Sequence, residues 1–515
     1  MSERLQKAVS SALEAGYQLE KEAFNFLEKL SKTEDPIAII EKAVKKAQTL
    51  SQKPLFIGRG LLEELLTEEI KEPPPPTMPM PSHPTLEAKK IAFKPYTKEV
   101  ESNIRVIEDP TEKTCTTGSI DDYLEYFRDR FRRLEKILRQ RIDIKDAMPI
   151  SEALKTPRNS KVKVIGMLTE KRESKQRIFF KVEDMNAAAT VFVPQGIEET
   201  IRAKAQALLL DQVVCIIAVK SRNDLLVLED VLFPEVPQRT PQKASIPVYA
   251  ALISDLHVGS KLFMREEFNR FLLWLNGKLG NAYQREVAGK IKYVIIAGDI
   301  VDGIGVYPGQ AKELAIEDVY QQYRLASKFI EQIPDYIELI VIPGNHDASR
   351  KALPQPAIPK EYAESIYEAR KVHSLGNPCT ISLHDVELLV YHGRSLDDII
   401  ATAPNQSFKE PEKAMKLLLQ CRHLAPIYGQ KTPISPENRD FMVIERVPDI
   451  FHAGHIHVEK HEVYRGVLLV NSGAWQRQTV FQKKMGLEPT PGIVPIVDLQ
   501  TLQVFTVNFQ STTLN

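Results

Sequence analysis

Five short clusters of metal-binding residues, each just beyond an apolar run, constrain this chain more than any other feature. They are Asp255-Leu256-His257, Gly298-Asp299, Gly344-Asn345-His346-Asp347, Tyr391-His392-Gly393 and Gly454-His455-Ile456-His457. The runs before them, Val248–Ile253, Tyr293–Ala297, Leu339–Ile342, Leu388–Val390 and Asp449–Phe451, have strand character. Side chains at the carboxyl ends of parallel strands meet in one crevice, where open α/β sheets take their substrates. The mixture of Asp, Asn and His suits Mn²⁺, Fe²⁺ or Zn²⁺, and one carboxylate can bridge two ions about 3.5–4 Å apart. A lone Gly-Asn-His or His-x-His is weak, because a single histidine is more often an ordinary core or surface residue. The ordered set is specific, and ten of the 11 histidines lie beyond residue 250.

At 515 residues the chain exceeds a single core, and length alone predicts ~3 domains. The formal net charge is zero, so no global basic field draws it to nucleic acid; binding DNA would need local patches, metals or a partner subunit. The four cysteines, Cys115, Cys215, Cys379 and Cys421, share no paired spacing and read as reduced thiols of a cytosolic protein. No signal core opens the sequence and no run approaches ~18 apolar residues. A soluble, cytoplasmic protein with no membrane association is expected.

Residues 1–70 predict a helical module. Leu19, Ala23, Phe26, Leu27 and Leu30 recur at helical spacing, Asp35-Pro36 opens a second helix lined by Ile37, Ile40 and Val44, and Leu61–Ile70 predicts a third. Residues 71–100, with Pro73-Pro74-Pro75-Pro76, predict an extended linker. Residues 101–240 predict an amphipathic helix followed by a β domain. Leu124, Phe127, Phe131, Leu134 and Leu138 form the helix stripe, and Arg128, Arg130, Arg132, Arg133, Lys136 and Arg139 fall on its flanks and far face. A DNA-backbone contact competes with a plain solvated face there, and the solvated face is favoured. Five β segments over 160–235, with a helical stretch at Gly196–Leu210, fit an OB-fold barrel. Phe179, Phe180 and Phe192 could stack bases, but strand alternation buries one of the first two. Residues 241–515 alternate strands and helices, the pattern of a layered α/β domain.

The series Ser254-Asp255-Leu256-His257, Gly298-Asp299-Ile300-Val301-Asp302-Gly303, Gly344-Asn345-His346-Asp347, His392-Gly393 and Gly454-His455-Ile456-His457 resembles the calcineurin-like metallophosphoesterases, double-strand-break repair nucleases among them. Gly305-Val306-Tyr307-Pro308-Gly309-Gln310, Leu353-Pro354-Gln355-Pro356, Gly393-Arg394-Ser395-Leu396-Asp397-Asp398 and Asn471-Ser472-Gly473-Ala474-Trp475-Gln476 resemble the small subunit of archaeal family D DNA polymerases, over roughly residues 150–505.

That resemblance implies two divalent ions, Mn²⁺ foremost with Fe²⁺, Zn²⁺ or Mg²⁺ as alternatives. Asp255, His257, Asp299 and His457 would hold one; Asp299, Asn345, His392 and His455 would hold the other. His346 would face the substrate as the catalytic residue; its neighbour Asp347 either orients it or caps a helix. His452 would orient a ligand, and Arg394, Ser395, Tyr307 and Gln310 are candidate substrate contacts. The implied activity is 3′–5′ proofreading exonuclease in a nucleoid-associated replicative polymerase, with a large catalytic subunit, single-stranded or primer-end DNA and the sliding clamp as partners. A non-catalytic architectural subunit and a free-standing metallophosphatase are the alternatives; filled ligand positions argue against the first, and the OB-like region and flanking motifs against the second.

Overall fold

The computed structural model describes residues 3–15, 17–30, 35–49, 56–60, 62, 93–174, 177–484 and 486–511. It divides into two units, Met1–Lys90 and Ile91–Asn515.

In the first unit the helices Glu3–Glu14, Lys21–Leu30 and Pro36–Thr49 accompany two short parallel strands, β1 (Gln18–Leu19) and β2 (Phe56–Ile57). Leu19, expected on the same helix as Leu30, instead pairs with Ile57. The helix begins two residues later, leaving Ala23 and Leu27 as its buried pair. Asp35 and Pro36 act as their types dictate: Asp35 Oδ1 accepts from Ile37 N at 3.3 Å, and Pro36 takes the first helical position. Of the helix expected over Leu61–Ile70 only Leu62 is described, buried in this small core. The proline run lies outside the described residues.

The second unit begins with residues 93–100, which are not the tether expected there. Thr97 is buried, its hydroxyl donating to the carbonyls of Gly289 (3.1 Å) and Ile291 (2.8 Å). Strand β3 (Ile104–Glu108), expected to belong with the β domain, pairs instead with a strand of the layered domain described below.

The helix Ile120–Arg139 starts at a capping box, Ser119 with Asp122. Its buried face differs from the expected stripe. Leu124 is exposed, while Tyr126 and Arg130 are buried with Phe131, Leu134 and Leu138. Arg130 is fully enclosed, donating to Asp440 Oδ2 (2.8 Å), Pro426 O (2.8 Å) and Tyr126 OH (3.1 Å). Arg133 binds Glu445 and Asp129. Two cations of the supposed solvated face therefore fasten this helix to the layered domain.

Strands β4 (Lys161–Ser174), β5 (Arg177–Glu183), β6 (Ala188–Val193), β7 (Val213–Lys220) and β8 (Leu225–Leu232) close into a barrel of order β4-β5-β6-β8-β7, with the helix Glu199–Ala207 between β6 and β7. Alternation works as expected: Phe180 is inside, and Phe179 is outside beside Phe192, with ring centroids 4.9 Å apart.

The layered domain has two six-stranded sheets. The first contains β9 (Tyr249–Ile253), β10 (Ile291–Ala297), β11 (Glu338–Ile342), β12 (His373–Ser374), β18 (Ile493–Asp498) and β19 (Val504–Asn508), in the order β12-β11-β10-β9-β18-β19. The second joins β3 to β13 (Cys379–Leu383), β14 (Val386–Tyr391), β15 (Ile450–Ala453), β16 (Lys460–Tyr464) and β17 (Val467–Asn471), in the order β16-β17-β15-β14-β13-β3. β9, β10 and β11 run parallel, as do β14, β15 and β17. Alternate residues of both sheets (Ala250, Leu252, Ile295, Ile340; Ile381, Leu388, Val390, Ile450) interdigitate in one core. The opposite face of the first sheet packs against helices Arg265–Leu275, Ala282–Lys290, Val319–Ile330 and Lys360–Ala369. That of the second packs against Leu396–Thr402 and Pro411–Cys421. The result is a four-layer α/β sandwich, in which strands covered on both faces read as continuous apolar runs. No described helix is long and apolar enough to cross a membrane.

Candidate metal centre

All five clusters leave the carboxyl ends of parallel strands and meet. Asp255 and His257 follow β9, Asp299 follows β10, Asn345 and His346 follow β11, His392 follows β14, and His455 and His457 follow β15. Five of these side chains sit on backbone that ordinary residues rarely adopt: φ is 53° at Asp255, 51° at His257, 54° at Asp299, 68° at His455 and 64° at His457. Each such left-handed residue costs about 1–3 kcal/mol unless its surroundings fix it. Here they are fixed by Asp255 N→Gly298 O (2.9 Å), His257 N→Asp299 O (3.0 Å) and Gly454 N→His392 O (2.9 Å). Glycine is needed where the turns touch. A Cβ on Gly344 would stand 2.6 Å from Asp299 N, and one on Gly298 would stand 2.7 Å from Gly344 N.

Hydrogen bonding leaves one oxygen of each key carboxylate aimed inward. Asp299 Oδ1 accepts from His346 N at 2.8 Å. Its Oδ2 lies 3.8 Å from His257 Nε2 on one side and 3.3 Å from His392 Nε2 on the other. Asp255 Oδ2 accepts from His455 N (2.9 Å) and from the Ser254 hydroxyl. Asp255 Oδ1 is buried with no hydrogen-bond partner, 3.3 Å from His457 Nε2 and 3.8 Å from His257 Nε2. Two imidazole nitrogens, His257 Nε2 and His457 Nε2, face each other at 3.1 Å. On the far side His392 Nε2 is 3.0 Å from Asn345 Oδ1, and His455 groups with Asp299 and His392. An orphaned carboxylate oxygen, converging ring nitrogens and an Asp299 oxygen near both His257 and His392 form a donor set that fits divalent metal binding.

Surrounding residues fix which nitrogen of each ring points in. His257 Nδ1 donates to Asp302 Oδ1 at 2.9 Å, and His392 Nδ1 to Ala297 O at 2.8 Å, so Nε2 faces the centre in both. His455 does the reverse, its Nε2 held by Asp397 Oδ2 at 3.2 Å. Asp302 is in turn held by Gln310 and Gln476. His452 reaches Asp255 through Ser472 (3.1 Å) and then Ser254 (Ser472 Oγ to Ser254 Oγ, 2.7 Å).

Charges are balanced by protons in this arrangement. Burial opposes a charged His257, but the Asp302 hydrogen bond and the Asp299 carboxylate outweigh it and lift His257 to about 9. Burial likewise opposes a charged His392, and Asp299 lifts it to about 9. Asp255 and Asp299 lie below the usual carboxylate range: burial opposes ionisation, and His457 beside the first and His392 beside the second overcome it. Burial drives His346 down to about 4 against the pull of Asp299.

His346 groups with His257 and Asp302 but lies outside the two donor groups that contain Asp255 and Asp299. Its Nδ1 donates to Asp302 O at 2.7 Å, and its Nε2 is 4.0 Å from Asp299 Oδ2. Asp347, expected to orient it, does not. Buried Asp347 accepts from the backbone N–H groups of Gly344, Ile300 and Val301 and from Tyr323 OH, fastening two ligand loops together. Gln310 is likewise buried support rather than a surface contact, donating to Asp302 and accepting from Val306 N. Tyr307 donates to Glu313. Ser395 occupies the N-cap position of its helix but makes no capping bond; its hydroxyl donates to Leu424 O. Asp302 and Asp397 are the supporting residues that motif reading passed over. A carboxylate three residues after Asp299, and another five after His392, were the available signals.

The family model for the B subunits of DNA polymerases alpha and epsilon matches residues 250–461. The DNA polymerase II small subunit of Archaeoglobus fulgidus is 39% identical over 456 residues, covering 88% of this chain and 89% of that one. The chain belongs to the archaeal DNA polymerase II small subunits. The Halobacterium salinarum member is 34% identical over 514 residues, covering 97% of each chain. The Pyrococcus furiosus member is longer: 41% identity over 390 residues covers 75% of this chain and 63% of that protein. The matched family region contains all seven candidate ligands and His346.

Proposed function

We propose that this small subunit is a two-metal 3′–5′ DNA exonuclease that removes misincorporated nucleotides for a polymerase whose large subunit makes DNA. Family membership supports the replicative setting. The observation that carries the chemistry is Asp299 Oδ2, buried between His257 Nε2 and His392 Nε2 at 3.8 and 3.3 Å, the position a bridging carboxylate requires. Asp255, His257, Asp299 and His457 would hold one ion; Asp299, Asn345, His392 and His455 would hold the other. Nitrogen and oxygen donors of this kind suit Mn²⁺, with Fe²⁺ and Zn²⁺ as competitors. When bound, the pair supplies Lewis acidity at a phosphoryl oxygen and a water of lowered pKa.

The chain's own residues prepare the rest. Asp302 and Asp397 select the tautomers of His257 and His455. Gln482 Nε2 lies 3.0 Å from His457 Nδ1 and holds that ring in place, with Nε2 toward Asp255. The rings that would hold ions must be neutral to do so, and His257 and His392 hold extra protons in the free site, so loading would release protons. His346, neutral in the free site and tied by Nδ1 to Asp302 O, presents Nε2 as an acceptor. An arriving phosphate anion raises its proton affinity, so that His346 can protonate the departing 3′ oxygen.

Strand order and the interposed helix support reading the barrel as an OB fold. In this reading the barrel and the helix Ile120–Arg139 are architectural and the partner is the large subunit. The test is cleavage of primer DNA labelled at either end, matched or mismatched at its 3′ terminus, with Mn²⁺. Nucleotide release from the 3′ end, faster on mismatches, is expected; a chain that cleaves no DNA with any divalent ion, alone or with its large subunit, overturns the reading.

A further inference from the structure

A pocket of about 390 Å³ opens directly beside His346. His346, Ile304, Val319, Arg350, Lys351 and Tyr362 are among the residues that line it. Its volume lies in the ~300–1,000 Å³ range of sites that take small organic groups. Tyr362, at the start of the helix Lys360–Ala369, stacks on Tyr320 at the start of Val319–Ile330, with centroids 5.5 Å apart and planes 21° apart. Tyr320 is 47% exposed and Ile304 50%. A half-buried ring in the lining, the exposed ring stacked on it and an exposed aliphatic side chain thus stand near a chemical centre.

The electrostatics admit an anionic chain. Lys351 Nζ donates to Asn345 O (2.7 Å) and Asp347 O (3.2 Å), bringing a cation behind the loop that carries His346. Arg350 is paired with Glu437 at 2.7 Å. Asp347, the one acid in the lining, has its oxygens occupied by backbone N–H groups and Tyr323 OH.

We infer that this pocket is a nucleobase subsite that receives the unpaired base at the 3′ end of single-stranded DNA. The inference rests on the nuclease reading and names its substrate form. A phosphate at the Asp299 centre lies beside His346, and the base attached to it must leave on one side; His346 is shared by the centre and this pocket. Stacking on aromatic faces is tolerant of base identity, as an enzyme that removes any nucleotide requires. The occupant inferred is a single base, with His346 and Tyr362 in the lining. Ends that unpair at least cost, mismatched ones above all, therefore enter first.

The experiment uses the full chain and the variants Tyr320→Ala, Tyr362→Ala and Tyr362→Phe. Binding of fluorescent oligothymidylate is measured by anisotropy in EDTA, and Mn²⁺-dependent cleavage of the same oligonucleotide is compared with that of bis(p-nitrophenyl) phosphate, a phosphodiester without a base. Loss of a stacking ring weakens base binding roughly 10- to 100-fold. The alanine variants should bind the oligonucleotide weaker by that order, raise its KM, and lower the ratio of oligonucleotide to nitrophenyl ester cleavage correspondingly, while Tyr362→Phe stays near wild type. Wild-type binding by both alanine variants, or an equal fall on the two substrates, overturns the subsite. A wild-type chain that hydrolyses neither substrate with any divalent ion, alone or with its large subunit, sinks the nuclease reading, and the EDTA binding series still decides the pocket.

Discussion

Removing the Asp302 carboxylate should damage ion binding although Asp302 is not itself a proposed ligand. Its Oδ1 takes the His257 Nδ1 proton at 2.9 Å and the Gln476 amide at 3.2 Å, and its Oδ2 takes Gln310 at 3.3 Å. In Asp302→Ala the His257 ring loses the partner that keeps Nε2 inward, and two glutamine amides lose an acceptor. Partners of this kind are worth about 10–100-fold in metal affinity. In Asp302→Asn the amide can keep its oxygen toward His257 and turn its NH₂ toward Gln310, the longer contact, so the smaller end of that range is expected. A second signature is independent of affinity. Asp302 helps hold the proton on His257 in the ion-free site, so both variants should release fewer protons on loading. Titration calorimetry with Mn²⁺ in two buffers of different ionisation heat gives affinity and proton count together. Asp302→Ala that binds both ions with wild-type affinity and proton release would refute the argument that this carboxylate orients His257.

Three further outcomes follow from the same geometry. His346→Ala should keep its ions while cleavage falls about 10²–10⁴-fold, as loss of an acid–base group does, whereas His455→Ala should lose one ion; metal analysis beside single-turnover cleavage separates them, and ion loss in His346→Ala would make it a ligand. Without ions, His257 and His392 are raised from 6.5 to about 9; the stability from holding those protons is full below about pH 6.5 and lost as pH rises through about 9, so the melting temperature of chelator-treated protein should fall over that window, and a flat profile contradicts the assignment. Arg130→Ala strands buried Asp440 and should cost about 3–5 kcal/mol in denaturant unfolding, while Arg128→Ala, on an exposed pair with Glu125, should leave the midpoint unmoved.

The sequence was most readable where residue type and backbone demand coincide. Each cluster contains both a candidate donor and a tight turn, so Asp255, His257, Asp299, Asn345, His392, His455 and His457 could be named as candidates before any fold was known, and the folded chain draws them together. The barrel was legible because period-two alternation puts Phe180 inside and Phe179 outside. Reading failed where a residue's partner lies far along the chain. Arg130 looks solvated on a helical projection, because nothing local announces Asp440, 310 residues away. Asp347 looks like a partner for its neighbour His346, yet a left-handed turn at Asp299 brings the Ile300 and Val301 amides to it instead. Leu19 fits the helical spacing but is claimed by Ile57, and Thr97 ties residues 93–100, the described end of the expected tether, to the layered domain.

The central claim is that Asp299 bridges two ions on which DNA hydrolysis depends. Its most direct measurement is metal content per chain, taken with the cleavage rate of 3′-labelled single-stranded DNA, for wild type and Asp299→Ala loaded identically with Mn²⁺. The geometry predicts two ions and cleavage for wild type, with fewer than two ions and no cleavage for the variant. An Asp299→Ala protein that retains both ions, or degrades DNA at the wild-type rate, would contradict it.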